Sequence, residues 1–508
     1  MDRVTARRPH WMLAGVVAGL AGLATSYATA MVLTIREAPL VAVAELVIRL
    51  TPGPVAEAAI SVLGQFDKTF LVLVILLLLL VCFAVAGLLA RGGWYRPLLV
   101  WLPLAAVGLA AVLTQRQASA VDTLPVAVGL LTWVTLHSAL TDALERGRRR
   151  PDLESRERRV FLMVAGAVSV AALGIAVAGR VVGAGRRKVE ASRRLLRIPG
   201  VTRREAPADT SVGLAGIAPW QTPNEDFYLI DTTIAKPVIE PEEWSLRIHG
   251  LVERELTLDF SSLVARRMTE SWITLSCVSN EIGGGLVGNA RWSGVRIADL
   301  LDGLGVSPEA DCVLQTSHDG WTCATPLEAL TDDRDALLAV AMNGRPLPIE
   351  HGFPVRTIVP GLYGYVSATK WVVDLEVSTF ARSTGYWTTK GWSSEGPVKI
   401  ASRIDVPRAG AEVEAGPVSF GGVAWHQHTG IESVEVQVDG GPWTPAELGR
   451  VPSADTWVQW AATIDVPEGD HEVRVRATGK DGQTQTSVVR SPDPDGATGW
   501  HTVDFRAV

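Results

Sequence analysis

The stretch Ser271-Trp-Ile-Thr-Leu-Ser-Cys277-Val-Ser-Asn-Glu-Ile-Gly-Gly-Gly-Leu-Val-Gly-Asn-Ala-Arg-Trp-Ser-Gly294 decides the reading of this chain. An apolar, strand-like run (Trp272, Ile273, Leu275) delivers a thiol into a loop carrying Gly283, Gly284, Gly285 and Gly288. Glycines at that density let backbone approach a bulky ligand. No Cys-x-x-Cys accompanies the thiol, so zinc-ribbon and thioredoxin readings have no support. One soft sulfur beside a wide glycine cradle suits a metal that brings most of its other ligands with it. A single cysteine is more often a small buried hydrophobe, and the surrounding motifs have to reverse that prior.

They do so by their order. Cys277 with Ser279-Asn280-Glu281, then Gly288-Asn-Ala-Arg-Trp-Ser-Gly294, Asn343-Gly-Arg-Pro-Leu-Pro, His351-Gly-Phe-Pro-Val-Arg356, Val359-Pro-Gly-Leu-Tyr-Gly364 and Lys370-Trp371 follow one another along the chain. Together they resemble the molybdenum-binding region of the sulfite oxidase family of molybdopterin enzymes, over roughly residues 215 to 508. The resemblance implies a molybdenum-molybdopterin cofactor, with the Cys277 thiolate as both metal ligand and catalytic centre. It implies pterin and pyrophosphate contacts from His351, Arg356 and the Ser367 to Lys370 loop. That loop is one residue longer in spacing than in animal sulfite oxidases. Asn224, Phe227 and Tyr228, in Thr222-Pro-Asn-Glu-Asp-Phe-Tyr228, match the segment that lies along the pterin. Asn280 and Asp319 are weaker candidates, since a loop polar residue is usually satisfied locally. A guanidinium gives phosphate oxygens a planar fork, and an imidazole adds a second donor.

At 508 residues with mean hydropathy +0.21, the chain is too long for one domain and too apolar to be wholly soluble. Nearly all the apolarity lies before residue 180. The net charge of -7 argues against a nucleic-acid partner. Four cysteines are too few for a disulfide framework. Cys312 and Cys323 lie in neighbouring strand-like runs and are read either as a cross-hairpin pair or as two free buried thiols, the latter favoured. Cys82 sits in an apolar span.

Trp11 to Leu33, Phe70 to Ala90, Leu98 to Leu113, Leu124 to Leu144 and Val160 to Ala178 are near the roughly 20 residues that a bilayer core requires. Pro39 to Leu63 is broken by Thr51-Pro-Gly-Pro54 and reads as two short amphipathic helices at the bilayer face, the alternative being a sixth span. With the N-terminus inside, the Arg-rich loop Glu145 to Arg159 is cytoplasmic, as the positive-inside rule asks. The basic segment Arg180 to Arg204 opposes that orientation. Arg158-Arg159-Val160-Phe161-Leu162 resembles an internal twin-arginine export signal, which exports folded, cofactor-loaded proteins. The expectation is a multi-pass protein of the cell membrane with an extracytoplasmic catalytic domain. His10 and His137 are the only histidines before His249, so a bis-imidazole haem cannot be built from the spans. His137 is expected to bond a neighbouring helix.

The expected architecture is multi-domain: an α-helical transmembrane bundle (1–180), a linker (181–215), an α+β sulfite-oxidase-type molybdopterin domain (216–400) and an immunoglobulin-like β-sandwich (401–508). Glu243 to Gly250 with Leu256 to Leu258 reads as a strand pair, Ile297 to Leu304 as a helix ended by Gly305, and Trp371 to Val377 as a strand. The family's C-terminal domain often mediates dimerisation, so a homodimer is open.

Substrate is read from departures. Where sulfite-oxidising members place cationic side chains, this chain has Ile230, Thr232 and Ile282. A desolvated dianion needs charge pairing, so a small neutral oxo substrate (an S-oxide or N-oxide to be reduced) is favoured over sulfite. With no Cys-x-x-Cys-His, electrons come from an external donor or acceptor, such as a separate haem or quinone-linked protein. Glu281 is a proton-transfer candidate, or simply an exposed loop acid. The rival readings are a membrane-anchored binding or scaffold protein that kept the fold, and a transport-type protein with a soluble appendage. The second is disfavoured by spans that carry almost no charge.

Overall fold

The computed structural model describes residues 8–33, 35, 38–63, 66–115, 118–149, 163, 166 and 184–508. The chain divides into two compact units, one running to residue 190 and taking in 232–237, the other made of 191–231 and 238–508.

The first unit is helical: α1 (Arg8–Val32), α2 (Pro39–Leu50), α3 (Gly53–Leu63), α4 (Asp67–Leu89), α5 (Leu98–Leu113) and α6 (Leu124–Arg149). Among the described residues, three helical stretches, Arg8–Val32, Asp67–Gly92 and Ala120–Arg146, are long and apolar enough to cross a membrane, and Leu98–Leu113 is a shorter apolar helix. α2 stops where Thr51 turns extended ahead of Pro52, which disfavours the helical region for the residue before it. Pro39 to Leu63 is thus two short helices. The expected fifth span and the Arg158-Arg159 motif lie outside the described residues, apart from Met163 and Gly166. His137 is not bonded to a neighbouring helix as expected. It is buried edge-on to Trp101 at 5.5 Å, with neither ring nitrogen hydrogen-bonded among the described residues. Trp133 takes the polar role instead, donating Nε1–H to the Gly19 carbonyl at 2.9 Å. Within the stretch expected as a linker, Ala184–Leu195 is a further helix among the described residues, α7.

The second unit holds four sheets. β1 (Ser245–Gly250), β2 (Leu256–Asp259), β5 (Cys312–Ser317), β6 (Thr322–Pro326) and β10 (Val372–Ser378) form one, in the order β2-β1-β10-β5-β6. β3 (Thr269–Ser276), β4 (Val287–Arg296), β7 (Leu337–Met342) and β8 (Arg345–Pro346) form another, with β9 (Arg356–Ile358) also paired to β7. β7 reads Leu-Leu-Ala-Val-Ala-Met and is buried along its whole length, the pattern of a central strand covered on both faces. The helix expected over 297–304 ends at Leu301, because Asp302 already has an extended ψ of 131°. Cys312 faces Pro326 and Cys323 faces Gln315 across the β5–β6 ladder, so the two thiols are out of register and free.

From residue 401 the unit is all β. β11 (Ala401–Val406), β13 (Gly416–Trp425), β17 (Val458–Val466) and β16 (Glu447–Leu448) form one sheet. β12 (Glu412–Val413), β19 (His501–Ala507), β18 (Gly469–Gly479), β14 (Ile431–Val438) and β15 (Thr444–Pro445) form the other. Their inward residues alternate with outward polar ones, as in Val473 and Val475 between Glu472, Arg474 and Arg476. Phe420 and Trp460 of the first sheet share a core with Val436, Val475 and Phe505 of the second.

Candidate functional site

β3 carries Ser271 to Ser276 to the sheet edge and releases the chain at Cys277. The Cys277 backbone N–H donates to the Leu286 carbonyl at 2.9 Å, and its carbonyl accepts from the Asn280 N–H at 3.1 Å. Asn280 Oδ1 in turn accepts from the Leu286 N–H at 2.7 Å. The side chain of Asn280 therefore braces the loop that follows the thiol. Burial pushes the Cys277 thiol up, while the Ser279 N–H and hydroxyl pull back toward the thiolate.

The Thr222 to Tyr228 segment lies against this edge. Phe227 is buried over Gly288, where an added Cβ would stand 2.8 Å from its ring. Its ring stacks on Tyr228 with centroids 5.2 Å apart and meets both Trp292 and His351 edge-on at 5.7 Å. The Tyr228 phenol is pushed up, first by burial and then by Cys277, with Arg356 acting against both. Tyr228 therefore lies within electrostatic reach of both the thiol and the guanidinium. Asn224 is used structurally: its Oδ1 accepts from Asn343 Nδ2 at 2.7 Å, and its carbonyl meets His351 Nε2 at 3.1 Å.

Arg356 is only 4% exposed. It donates to the carbonyls of His351 (3.2 Å), Ala368 (3.4 Å) and Thr357 (3.4 Å), and it lies 5.2 Å over the Trp292 ring. Among the described residues it makes no salt bridge. Burial lowers it from 12.5 to about 10, with Tyr228 pulling the other way.

Ser367 and Lys370 come to the same loop but are engaged in other ways. The Ser367 hydroxyl donates back to the Tyr363 carbonyl at 2.9 Å within its own helical turn. Lys370 pairs with Asp231 at 3.2 Å, both side chains about nine-tenths buried. Asp319 sits in the β5–β6 turn, where its Oδ1 accepts from the Trp321 N–H at 3.1 Å; the neighbouring His318 N–H reaches the Trp371 carbonyl. Asp231 and Tyr363 were not singled out from sequence. Tyr363 lies inside the Val359 to Gly364 motif, so a signal was there; Asp231 carried none.

A small, partly open pocket borders the Cys277 loop, lined among others by Ser276, Glu281, Ile282, Tyr363, Trp425 and Gln485. Its lining includes no Lys, Arg or His. Burial raises the Tyr363 phenol to about 12, so it is protonated at neutral pH, and its oxygen accepts from the Lys399 N–H at 3.3 Å. A buried thiol and a buried cation with no carboxylate beside it among the described residues form a donor set that suits a metal carried by an anionic organic group, although Gly283 and Gly288 are covered by His501 and Phe227 and so are not the open cradle that the sequence suggests.

The comparisons agree with that class. The model of the oxidoreductase molybdopterin-binding domain matches residues 233–387. An uncharacterized oxidoreductase, YuiH of Bacillus subtilis, is 33% identical over 180 residues, covering 35% of this chain and 87% of YuiH. The chain belongs to the sulfite oxidase family of molybdopterin-dependent oxidoreductases, whose cofactor is molybdenum-molybdopterin. Mitochondrial sulfite oxidase of Drosophila melanogaster is 30% identical over 332 residues, covering 54% of this chain and 57% of that protein. The chain thus spans little more than half the length of the animal sulfite oxidases it matches. The crystal structure of the sulfane dehydrogenase SoxCD from Paracoccus pantotrophus aligns over 62% of this chain and 88% of that one, with TM-score 0.49 and 23% identity.

Proposed function

We propose that this chain is a membrane-anchored molybdopterin oxidoreductase that moves an oxygen atom to or from a small neutral substrate, with S-oxide or N-oxide reduction favoured. Cys277 would hold the metal. Arg356 and His351 would hold the pterin's phosphate end, with Asn224, Phe227 and Tyr228 along the ring system and Ser367 to Lys370 closing the loop around it. Asn280 and Asp319 would shape the backbone rather than touch the cofactor. When bound, the cofactor supplies a metal that cycles between oxidation states as oxygen is transferred. Arg356 supplies the charge that a phosphate needs away from water. Phe227 and Trp292, both buried, would help keep water from the cofactor's ring system. Tyr363, protonated at neutral pH, can donate its hydroxyl proton to an oxide oxygen in the pocket.

One observation carries the reading: Arg356 is a buried cation with no carboxylate beside it among the described residues, and Tyr228 lies within electrostatic reach of both it and the buried Cys277 thiol. Metal analysis and X-ray absorption of the full chain test it. Cys277→Ser should stay folded and lose the sulfur–molybdenum contact; full molybdenum and turnover in that variant would refute the assignment. Reduced viologen assayed against sulfoxides and N-oxides, beside ferricyanide-coupled sulfite oxidation, sorts the substrates.

Sulfite oxidation is the second reading, favoured by the names of the animal and plant relatives. Against it stands Ile282, which lines the pocket and packs on Gly499 where a sulfite site needs a cation. Localisation follows the same reading: residues 1–180 anchor the chain with about five spans, 181–215 link, and the catalytic half (216–400) is exported under the Arg158-Arg159 signal. The sandwich from 401 is taken as immunoglobulin-like. A separate haem or quinone-linked partner would carry electrons.

A further inference from the structure

We infer that the C-terminal β-sandwich is a positioning clamp for the Cys277 loop, acting through Arg403, Gln427 and His501. The inference rests on Cys277 as the metal-binding residue, but its geometry stands without the metal. The sandwich grips the loop at both ends. On the entry side, Gln427 donates Nε2–H to the Ser276 hydroxyl at 3.0 Å, one residue before the thiol. The Asp455 carbonyl accepts from the Thr274 N–H at 2.9 Å, and the Trp457 N–H donates to Thr274 Oγ1 at 2.8 Å. Gln427 also reaches the Thr274 carbonyl at 3.4 Å, so β3 is pinned by four hydrogen bonds from the sandwich.

On the exit side, Arg403 donates to the Gly284 carbonyl at 3.0 Å, and its other edge is fixed by Asp405 at 2.7 Å. Both members of that pair are nearly buried, with side chains 11% and 12% exposed. A guanidinium held by a carboxylate presents its remaining N–H in one direction, so Gly284 has one place to sit. His501 completes the grip. Its ring lies on Gly283, where an added Cβ would fall 2.1 Å from Nε2 at a φ of +73°, so only glycine fits beneath it. The Ile404 N–H donates to His501 Nδ1 at 2.9 Å, which fixes the ring's orientation.

Between these two grips the loop has mostly its own hydrogen bonds, Cys277 to Leu286 and Asn280 to Leu286. A metal-bound sulfur has to be held to a fraction of an ångström, and an isolated glycine-rich loop cannot do that. The sandwich supplies the missing rigidity and also walls the pocket through Trp425 and Gln485.

The test is hydrogen–deuterium exchange on the full-length chain as purified, following residues 277–286, together with the molybdenum(V) electron paramagnetic resonance spectrum. In Arg403→Gln combined with Gln427→Leu, exchange in 277–286 should rise about tenfold or more, the molybdenum signal should shift or broaden, and the β5–β6 hairpin should exchange as before. Arg403→Lys should recover part of the protection. Arg476→Met, which removes the Glu435 pair elsewhere in the sandwich, separates a loosened sandwich from a released loop. Loop exchange within twofold of the parent in the double variant, or raised equally by Arg476→Met, overturns the clamp. If molybdenum is absent from every variant and from the parent, the cofactor assignment fails while the exchange result still decides the clamp.

Discussion

Replacing Arg356 with Met should make the empty protein more stable and the loaded protein unable to form. A buried guanidinium brought from 12.5 down to about 10 carries a penalty of about 3 kcal/mol at about 1.4 kcal/mol per pH unit. Because the folded value lies below the unfolded one, that penalty is complete at neutral pH and fades only as pH climbs through about 10. Methionine fills a similar volume over Trp292 and needs no solvation. The carbonyls it abandons accept long bonds of 3.2 to 3.4 Å, so their loss returns about 1–2 kcal/mol of the gain.

The net expectation is about 1–2 kcal/mol of added stability, or about 2–8 °C in the melting temperature of this half. Protein from a cofactor-deficient host, melted in detergent, measures that term; molybdenum content from a competent host measures the other. The variant should hold less than a tenth of the parent's molybdenum. A variant that is less stable when empty and fully loaded when supplied would mean that Arg356 is a structural cation, and the reasoning would fall.

Asp231→Asn leaves Lys370 charged and nine-tenths buried without its acid, which should cost about 3–5 kcal/mol in thermal or denaturant unfolding; an unchanged midpoint would show that the pair is already screened. Ile282→Arg places a cation on the pocket wall and should shift the ratio of sulfite to neutral-oxide turnover toward sulfite by about tenfold, equivalent to about 1.4 kcal/mol, read as kcat/KM for each substrate. For Glu270, burial pushes the carboxyl up, but the N–H and hydroxyl of Thr202, then Ser293 and Arg291, outweigh it and leave it below its ordinary 4.5. Its contribution to stability is therefore present above about 4.5 and lost as pH falls through the lower folded value. Acid titration of the melting temperature should show this loss in the parent and not in Glu270→Gln.

Much of this was legible because local pattern and local structure coincide. The β1–β2 pair falls where Glu243 to Gly250 and Leu256 to Leu258 read as strands, since their alternation is buried on one face only. The break after Leu50 was readable from the Thr-Pro pair. The motif order carried the family. What sequence could not give was who bonds whom. Ser367 and Asn280 sit in the right motifs, yet one hydroxyl turns into its own helical turn and one amide braces a loop. Asp231 was passed over because its partner is 139 residues away, and no periodicity reports a pairing at that range. His137 failed for the opposite reason: a rule for polar groups in apolar spans expects a bond, and aromatic packing took its place.

Two buried arginines fall inside the motifs, and the difference between them is what turns a family likeness into a site. Arg291 is 3% exposed and Arg356 is 4% exposed, so burial alone does not separate them. Arg291 is bonded to Glu270 and reaches both the carbonyl and the hydroxyl of Thr202, so its charge is spent on holding β4 to the segment before β1. Arg356 has only carbonyl dipoles and a ring face. A buried ion pair is neutral to its surroundings, whereas a buried lone cation raises the affinity of its neighbourhood for an anion. The unpaired charge lies over Trp292, which meets Phe227 edge-on; Phe227 covers Gly288 and stacks on Tyr228, which lies within electrostatic reach of Cys277. An anion-tailed, flat, metal-bearing ligand satisfies all three at once, and a plain anion or a bare metal ion satisfies only one.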